Sequence, residues 1–343
     1  MTRKILIIKT SSMGDVIHTL PALTDAIIYD SSIQFDWVVE KSFQEIPLWH
    51  KAVNKVIPIS LRQWRKQPFS VKTRTEFKAF IKQLRQEKYD LIIDAQGLIK
   101  SAWITVFAKG KRCGYDYQSA RESLASIFYQ KKASVTWEQH AVKRTRCLFA
   151  DLLGYQYNDK LPDYGIDKTK LTKTSYQDYI VFLHGTTWPT KHWPEQYWIA
   201  LARKLQSHSK NILLPWGNDI EKARAEKICQ AVENAVVLPK MNLADIASIL
   251  AGAKLIYAVD TGLGHLAAAL HIPTISLFGA TDPKLTGAYG QNQYHLAAQF
   301  ECAPCLLRNC NHPAFKNNIP PCYQTINADN AFAMGAKLLG VVP

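Results

Sequence analysis

An unbroken apolar run near the amino terminus most constrains the fold of this 343-residue chain. Residues 5–8 read Ile-Leu-Ile-Ile, a run too short to span a membrane and typical of a strand buried on both faces. Residues 9–14 are mostly small or polar and predict a turn, and apolar residues then recur at helical spacing over residues 16–23. The stretch therefore predicts a first strand followed by a first helix. The turn between them lies at the sheet edge where open parallel sheets bind ligands.

The predicted turn carries two kinds of candidate residue. Ser11 and Ser12 can cap the helix by accepting hydrogen bonds from its free amides, which is worth about 1 kcal/mol. Asp15 follows Gly14, and one cap does not need several candidates in a row. Local chemistry therefore leaves two interpretations of Asp15 open, a helix cap or a functional carboxylate.

Further strand–turn–helix units follow along the chain. Strands are predicted at residues 34–39, 55–59 and 90–94 and, in a second series, at residues 179–183, 211–216, 255–259 and 273–278, the last of the chain. Residues 154–173 mix Asp, Pro, Gly and Lys without a period and are the best candidate linker. Two such series predict an α/β protein with two Rossmann-like, doubly wound domains facing across a cleft, at residues 1–160 and 175–343.

The charge of the chain is basic and unevenly distributed. The net charge is +14, and residues 1–165 carry 26 Lys and Arg against 16 Asp and Glu, whereas the remainder carries 16 against 12. This excess indicates an anionic partner for the N-terminal half, namely nucleic acid, an acidic membrane surface or an acidic substrate, and a solvated basic face is the alternative. No window of about 18 uncharged apolar residues occurs, and no signal peptide is recognisable, so a cytoplasmic protein is expected.

Residues 61–88 hold much of this positive charge. Four apolar residues at helical spacing predict an amphipathic surface helix over residues 76–88. Residues 61–74 have no clean period and interleave Trp64 and Phe69 with Arg and Lys. Two interpretations stay open for this segment, an ordinary loop or a loop that meets an anionic or membrane surface.

The second series contains a candidate nucleotide site. The run Asp-Thr-Gly-Leu-Gly-His from Asp260 to His265 lies between a predicted strand and a predicted helix at residues 266–270. Its glycines allow a close approach to a ligand, and the free amides of a helix start favour an anion such as a pyrophosphate. Residues at neighbouring strand ends could hold the same phosphates or the ribose: Thr186, Thr187, Lys191 and Glu221. Because neither a Gly-x-Gly-x-x-Gly motif nor a P-loop occurs, a nicotinamide enzyme or P-loop nucleotidase is disfavoured.

Four of the seven cysteines lie close together in sequence. They are Cys302, Cys305, Cys310 and Cys322, with the spacing C-x2-C-x4-C-x11-C. Four thiolates could hold a structural zinc ion, and free thiols in a coil-rich segment are the alternative. An odd number of cysteines in a chain expected in the cytoplasm argues against a disulfide framework.

Several segments together resemble the ADP-heptose:lipopolysaccharide heptosyltransferases, glycosyltransferase family 9. They are KTSSMGDVIHTLP at 9–21, FDWVVE at 35–40, DAQGLIKS at 94–101, KHWP at 191–194 and DTGLGHLAA at 260–268. The N-terminal segments are most similar to the branch of the family that adds the first heptose to the Kdo sugar of the lipopolysaccharide inner core. The resemblance implies a GT-B fold, with the acceptor in the N-terminal domain and the donor in the C-terminal domain. It also implies an inverting reaction that needs no metal or other cofactor.

The same resemblance implies roles for the candidate residues. Asp15 would be the general base that deprotonates the Kdo hydroxyl, and Lys191 would stabilise the departing ADP. The residues that would bind ADP-heptose are Thr186, Thr187, Glu221, Asp260, Thr261, Gly262, Leu263 and His265. Those that would bind the acceptor, Kdo2-lipid A, are Ser11, Arg62, Arg65, Lys66 and Arg121. The protein would work as a peripheral protein at the cytoplasmic face of the inner membrane, without a nucleic-acid partner.

Three alternatives stay open. The chain could be another heptosyltransferase of the same family. A nucleotide-sugar 2-epimerase of the same fold needs no large anionic acceptor, so it leaves the basic N-terminal half unexplained. A non-enzymatic anion-binding module for nucleic acid or lipid does not need the two ligand-lined sheet edges that the sequence predicts.

Overall fold

The computed structural model describes residues 2–317 and 319–340, and the chain divides into two compact units. The units are Met1–Asp167 and Lys168–Pro343. The division falls inside the candidate linker at residues 154–173. Part of that linker packs on the first unit, because Tyr164 is fully buried and Ile166 forms an isolated antiparallel bridge with His50.

The first unit is built on a six-stranded parallel sheet with the order β3-β2-β1-β4-β5-β6. Its strands are β1 (Arg3–Ile8), β2 (Ile33–Glu40), β3 (Val53–Ile59), β4 (Lys88–Asp94), β5 (Lys109–Tyr115) and β6 (Lys131–Ala133). The apolar run at residues 5–8 is fully buried in β1, as its continuous hydrophobicity predicted.

The helices of the first unit connect these strands. They are α1 (Met13–Ile17), α2 (Leu20–Tyr29), α3 (Glu45–Leu48), α4 (Leu61–Lys66), α5 (Val71–Leu84), α6 (Ile99–Thr105) and α7 (Ala141–Leu153), with 3-10 helices at Lys41–Phe43 and Ser123–Phe128. The strand order reverses between β1 and β4. The turns that follow these two strands therefore lie side by side at the carboxyl edge of the sheet.

The second unit repeats this plan in the order β12-β11-β10-β7-β8-β9, again all parallel. Its strands are β7 (Tyr179–Leu183), β8 (Asn211–Leu214), β9 (Ala235–Val237), β10 (Leu255–Val259), β11 (Thr274–Phe278) and β12 (Gln293–Ala297). Its helices are α8 (Glu195–Leu205), α9 (Asp219–Gln230), α10 (Leu243–Ala251), α11 (Gly262–Ala269), α12 (Pro283–Thr286) and α13 (Ala328–Leu339). Shorter 3-10 helices lie at Lys168–Lys170, Pro189–Lys191 and Pro321–Thr325. The order reverses between β7 and β10, so the turns after these strands are neighbours.

All eight predicted strands are confirmed, but the described residues form more strands than the sequence predicted. The strand at residues 273–278 is not the last one, because β12 follows it at the sheet edge. The edge strands β9 and β12 have no fully buried residue, and β5 begins with the charged run Lys-Gly-Lys-Arg. β5 and β12 lack the continuous apolar run that marks a central strand, and β9 is only three residues long.

The segment at residues 61–74 is mostly helical, which corrects its prediction as a loop, and its contact with an anionic or membrane surface stays a prediction. It forms α4 and the start of α5. Trp64 is only 8% exposed, packs its ring against Phe77 and Phe80, and donates its indole N–H to Glu76 Oε2 at 2.7 Å. Phe69, between the two helices, is 82% exposed. No helix in the described part of the chain is long and apolar enough to cross a membrane.

Candidate active site

Asp15 lies in the first turn of α1, which follows the central strand β1. Ser12 is the N-cap residue, and Asp15 Oδ2 accepts hydrogen bonds from the Ser12 backbone N–H at 2.8 Å and the Ser12 hydroxyl at 2.7 Å. Asp15 is thus the N3 residue of a capping box whose N-cap is Ser12, which confirms the capping interpretation. The side chain keeps 32% exposure, so the capping bonds leave room for a further partner.

Lys9 is a candidate that the sequence analysis missed. It is 7% exposed, and its ammonium donates a hydrogen bond to the Ala95 carbonyl oxygen at 2.8 Å and lies 3.8 Å from Asp15 Oδ1. Burial lowers the pKa of Lys9, and the carboxylates of Asp15 and Asp94 only partly oppose this shift. The sequence did contain a signal for Lys9, because a charged residue directly after a buried strand needs a partner of opposite charge or a hydrogen-bond acceptor.

The ionisation of Asp15 is set by the same neighbours. Burial acts to raise the pKa of Asp15, but the Lys9 ammonium, the two hydrogen bonds from Ser12 and the charge of Arg121 together hold it below its ordinary value. The carboxylate is therefore ionised at neutral pH. This is the state that a proton acceptor needs.

The turn after β4 holds the turn after β1 in place. Gln96 Oε1 accepts the backbone N–H groups of Thr10 at 3.1 Å and Ser11 at 3.3 Å. Gln96 is itself anchored, because its backbone N–H donates to the buried carboxylate of Asp94 at 2.8 Å. The predicted acceptor residue Ser11 thus has its backbone N–H engaged within the protein.

Two arginines lie near the Asp15–Lys9 pair. Arg121 is exposed, and its charge lowers the pKa of both Asp15 and Lys9. Arg144, which the sequence analysis missed, also lowers the pKa of Lys9. Its guanidinium donates to the Ser119 carbonyl oxygen at 2.8 Å and lies 3.6 Å from the ring centroid of Trp137.

The other predicted acceptor-binding cations lie elsewhere on the same unit. Arg62, Arg65 and Lys66 are exposed on α4, which follows β3, two strands from β1 in the sheet. The backbone N–H of Arg62 donates to Glu40 Oε1 at 3.2 Å. The structure places these side chains on the surface and leaves their role in acceptor binding as a prediction.

In the second unit, contacts converge on Asp260 at the carboxyl end of β10. Lys191, from the segment after β7, places its ammonium 2.6 Å from Asp260 Oδ2, and the two side chains are 17% and 7% exposed. The hydroxyl of Thr281 donates to the same oxygen at 2.7 Å, and that of Thr186 donates to the Asp260 backbone carbonyl at 2.9 Å. The structure thus joins three of the predicted donor-site residues. Lys191 ends a 3-10 helix here, and the following helix begins only at Glu195, after Pro194.

The helix start that was predicted to receive a pyrophosphate is present. Thr261 is the N-cap residue of α11, which begins at Gly262 rather than at residue 266. Gly262 and Leu263 form its first turn, and His265 is 8% exposed in the second. The first amides of a helix have no intrahelical acceptor, so this end of α11 presents backbone donors to an anion.

Glu221 lies against two of the neighbouring turns. It is in the first turn of α9, and its Oε2 accepts the backbone N–H of Gly217 at 2.8 Å. Its carboxyl carbon would lie 2.5 Å from a Cβ at Gly185, so a side chain at that position would displace the Glu221 carboxylate. Thr187, two residues further on, is exposed. The turns after β7, β8 and β10 thus bring the predicted donor-site residues to one edge of the sheet.

The four clustered cysteines are free thiols. Cys322 is buried in the 3-10 helix Pro321–Thr325, and burial raises its pKa to about 11, with a further contribution from the three other thiols. Within residues 2–317 and 319–340, no three His, Cys, Asp or Glu side chains are arranged to hold a metal ion. The zinc site stays a prediction that this geometry does not support.

Comparison with known proteins identifies the family. Residues 77–316 match the model of glycosyltransferase family 9 (heptosyltransferase), a range that contains the predicted donor-binding residues but not Asp15. The chain is 50% identical over 335 residues to lipopolysaccharide heptosyltransferase 1 of Pseudomonas aeruginosa, covering 94% of each chain.

Two solved structures are similar over the whole chain. The structure of Escherichia coli heptosyltransferase WaaC with ADP superposes with a TM-score of 0.87 at 45% identity, covering 98% of this chain and 99% of that one. The complex with ADP-2-deoxy-2-fluoro heptose gives 0.84 at 44% identity, covering 97% and 99%. These matches confirm the predicted GT-B fold of two Rossmann-like domains. The chain therefore belongs to glycosyltransferase family 9, the heptosyltransferases.

Proposed function

We propose that this glycosyltransferase transfers L-glycero-D-manno-heptose from ADP-heptose to Kdo of Kdo2-lipid A, the first heptose transfer of the lipopolysaccharide inner core. The observation that carries the proposal is the 50% identity to a heptosyltransferase 1 over nearly the full length of both chains. The ADP and fluoro-heptose complexes of the similar E. coli protein support an ADP-sugar donor.

The donor would bind in the second unit. The pyrophosphate would lie at the start of α11, where backbone amides and the helix dipole favour an anion. Lys191 would neutralise the charge that develops on the departing ADP, with hydroxyls from Thr186, Thr187 and Thr261 nearby. Asp260 orients the ammonium of Lys191 and would bind heptose hydroxyls, while Glu221 would accept hydrogen bonds from the ribose.

Asp15 would take the proton from the acceptor hydroxyl. In an inverting transfer, the Kdo hydroxyl oxygen attacks C1 of the heptose as the bond to the ADP oxygen breaks. The hydroxyl proton goes to the Asp15 carboxylate, and the electron pair of the broken bond leaves on ADP. Asp15 is suited to this step because it is ionised and its side chain is one-third exposed. Lys9 would position Asp15 and keep it ionised.

The anionic acceptor accounts for the charge of the first unit. Kdo carries a carboxylate and lipid A carries phosphates, and Arg62, Arg65, Lys66 and Arg121 are exposed cations that can pair with such groups. Because the acceptor is a membrane lipid, the protein would act at the cytoplasmic face of the inner membrane as a peripheral protein. Lys191 and the helix dipole would supply the positive charge that a divalent ion supplies in other transferases.

The test is to offer ADP-heptose with defined acceptors and to measure ADP release and product mass. ADP release with Kdo2-lipid A, and addition of one heptose to it, would support the proposal. The same acceptor already carrying its first heptose should not react. A preference for that heptosylated acceptor, or for a UDP-sugar as donor, would refute the assignment.

A further inference from the structure

Helix α6 exposes an apolar face that the proposed chemistry does not use. Ile99, Trp103 and Val106, which adjoins its last turn, are 41%, 47% and 43% exposed. Their spacing of four and then three residues places them on one side of the helix. Large apolar side chains aligned in this way on the surface need a reason, because isolated ones are common but contiguous ones are not.

The 3-10 helix Ser123–Phe128, packed on α6, carries a second row of exposed apolar side chains. Leu124 and Ile127 are 56% and 69% exposed, and their spacing of three residues aligns them on one side of a 3-10 helix. This helix packs against α6, and Glu122, just before it, accepts the backbone N–H of Ile99 at 2.7 Å. We call these five exposed side chains the docking face: Ile99, Trp103, Val106, Leu124 and Ile127.

The docking face is backed by packed aromatic rings. Trp103 lies parallel to Phe77 of α5, with ring centroids 6.4 Å apart and 11° between the planes, and edge-on to Phe107 at 4.5 Å. These contacts fix the indole while leaving nearly half of Trp103 exposed. Tryptophan is enriched at membrane–water interfaces, where its amphipathic ring lies at the level of the headgroups.

The neighbouring helix α5 carries a row of cations. Its exposed basic residues are Lys72, Arg74, Lys78 and Lys82, followed by Arg85 at the helix end. Within the described residues none of them forms an ion pair, and Glu76, the one acid of α5, receives the hydrogen bond from Trp64. An apolar face beside unpaired cations matches the chemistry of an anionic bilayer, whose headgroups attract Lys and Arg.

We propose that the docking face inserts into the surface of an anionic lipid bilayer, with the cations of α5 against its headgroups. The inference rests on the proposed function, in which the acceptor is a lipid. The location supports it, because α6 begins three residues after Gln96, the residue that holds the turn before Asp15. Trp64, for which the sequence left a membrane contact open as one alternative, is buried and has no part in this face.

The test measures co-sedimentation of the full chain with vesicles of phosphatidylcholine and phosphatidylglycerol that contain no acceptor. The double variant Leu124→Gln/Ile127→Gln should lose about tenfold in vesicle affinity, because two apolar side chains no longer enter the interface. The matched control is Ile28→Gln/Ile220→Gln, which changes aliphatic residues that are 78% and 76% exposed elsewhere on the chain. The control should bind vesicles like the parent, and binding by the parent should fall with salt.

Further measurements distinguish the possible outcomes. Both double variants should keep the parent's melting temperature and its ADP release with a soluble, deacylated Kdo acceptor. Vesicle binding by Leu124→Gln/Ile127→Gln equal to that of the parent would overturn the docking face. The docking face would also be overturned if the parent did not bind anionic vesicles and instead self-associated through these residues. Because the vesicles contain no acceptor, failure of the heptosyltransferase assignment would appear only in the ADP-release assay.

Discussion

The ammonium of Lys9 lies 3.8 Å from Asp15 Oδ1 while donating a hydrogen bond to the Ala95 carbonyl oxygen. Lys9 therefore connects the turn after β4 to the proposed catalytic base after β1. Its charge stabilises the ionised form of Asp15 against the cost of burial. The base is thus held in position and in its ionised form before substrate binds.

Asp15→Asn should lower kcat by about 10²–10⁴, the usual contribution of general base catalysis, because Asn cannot accept the proton. Asn can still accept the capping hydrogen bonds from Ser12, so the melting temperature and ADP affinity should stay near those of the parent. Steady-state kinetics, thermal melting and calorimetry with ADP measure these three quantities.

Asp30→Asn is the matched control for Asp15→Asn. Asp30 also accepts hydrogen bonds from a serine two residues along, through the Ser32 backbone N–H at 3.0 Å and the Ser32 hydroxyl at 2.7 Å. This control should keep the parent's kcat. Near-normal turnover of Asp15→Asn would leave Asp15 as a structural residue and place the base elsewhere.

Lys9→Met should move the acidic limb of the kcat/KM–pH profile to higher pH. Lys9 helps to hold the pKa of Asp15 below its ordinary value, so its removal raises that pKa and the base becomes protonated at a higher pH. The loss of activity should therefore be larger at low pH than at high pH. Lys4→Met, which changes an exposed lysine on β1, the strand that precedes Lys9, should leave the limb in place. A uniform loss at every pH would mean that Lys9 only supports the fold.

The parts of the site that could be predicted from the sequence follow from continuous patterns. The apolar run of β1 and the glycine-containing turn after β10 identified the strand ends that carry Asp15 and Asp260. The sheet order then brought Thr186 beside Asp260, since β7 and β10 are neighbours.

Other features could not be predicted because they depend on contacts distant in sequence. The partners of Lys9 are Asp15, six residues away, and Ala95, which only the β1–β4 pairing brings near. Trp64 looked like an exposed aromatic among cations, yet it packs on Phe77 and Phe80 of the next helix. The edge strand β12 was missed because it pairs only with β11 and has no fully buried residue. Its sequence Gln-Tyr-His-Leu-Ala therefore has only a weak hydrophobic pattern.

Treatment with EDTA should leave the initial rate of ADP release unchanged. In the proposed mechanism, Lys191 and the free amides of α11 stabilise the leaving pyrophosphate, and fixed charges and dipoles of this kind act without a bound cation. The measurement compares rates with EDTA, without EDTA, and with added magnesium. A prompt loss of turnover with EDTA that magnesium restores would contradict this mechanism.

Lys191→Ala should weaken ADP binding about 10–100-fold, the usual effect of losing a hydrogen bond to a charged group. Part of that loss should come from Asp260. In the parent its carboxylate, 7% exposed, lies 2.6 Å from the Lys191 ammonium. Without that ammonium the unpaired carboxylate repels the pyrophosphate. Lys191→Ala/Asp260→Asn should therefore bind ADP more tightly than Lys191→Ala alone, since the amide that replaces the carboxylate carries no charge. Calorimetry on the parent, both single variants and the double variant measures this coupling.

Lys204→Ala, which breaks an exposed ion pair with Asp329 in the same unit, should bind ADP like the parent. Strictly additive losses would mean that Asp260 and Lys191 act on the donor independently, and unchanged ADP affinity in Lys191→Ala would remove Lys191 from the donor site.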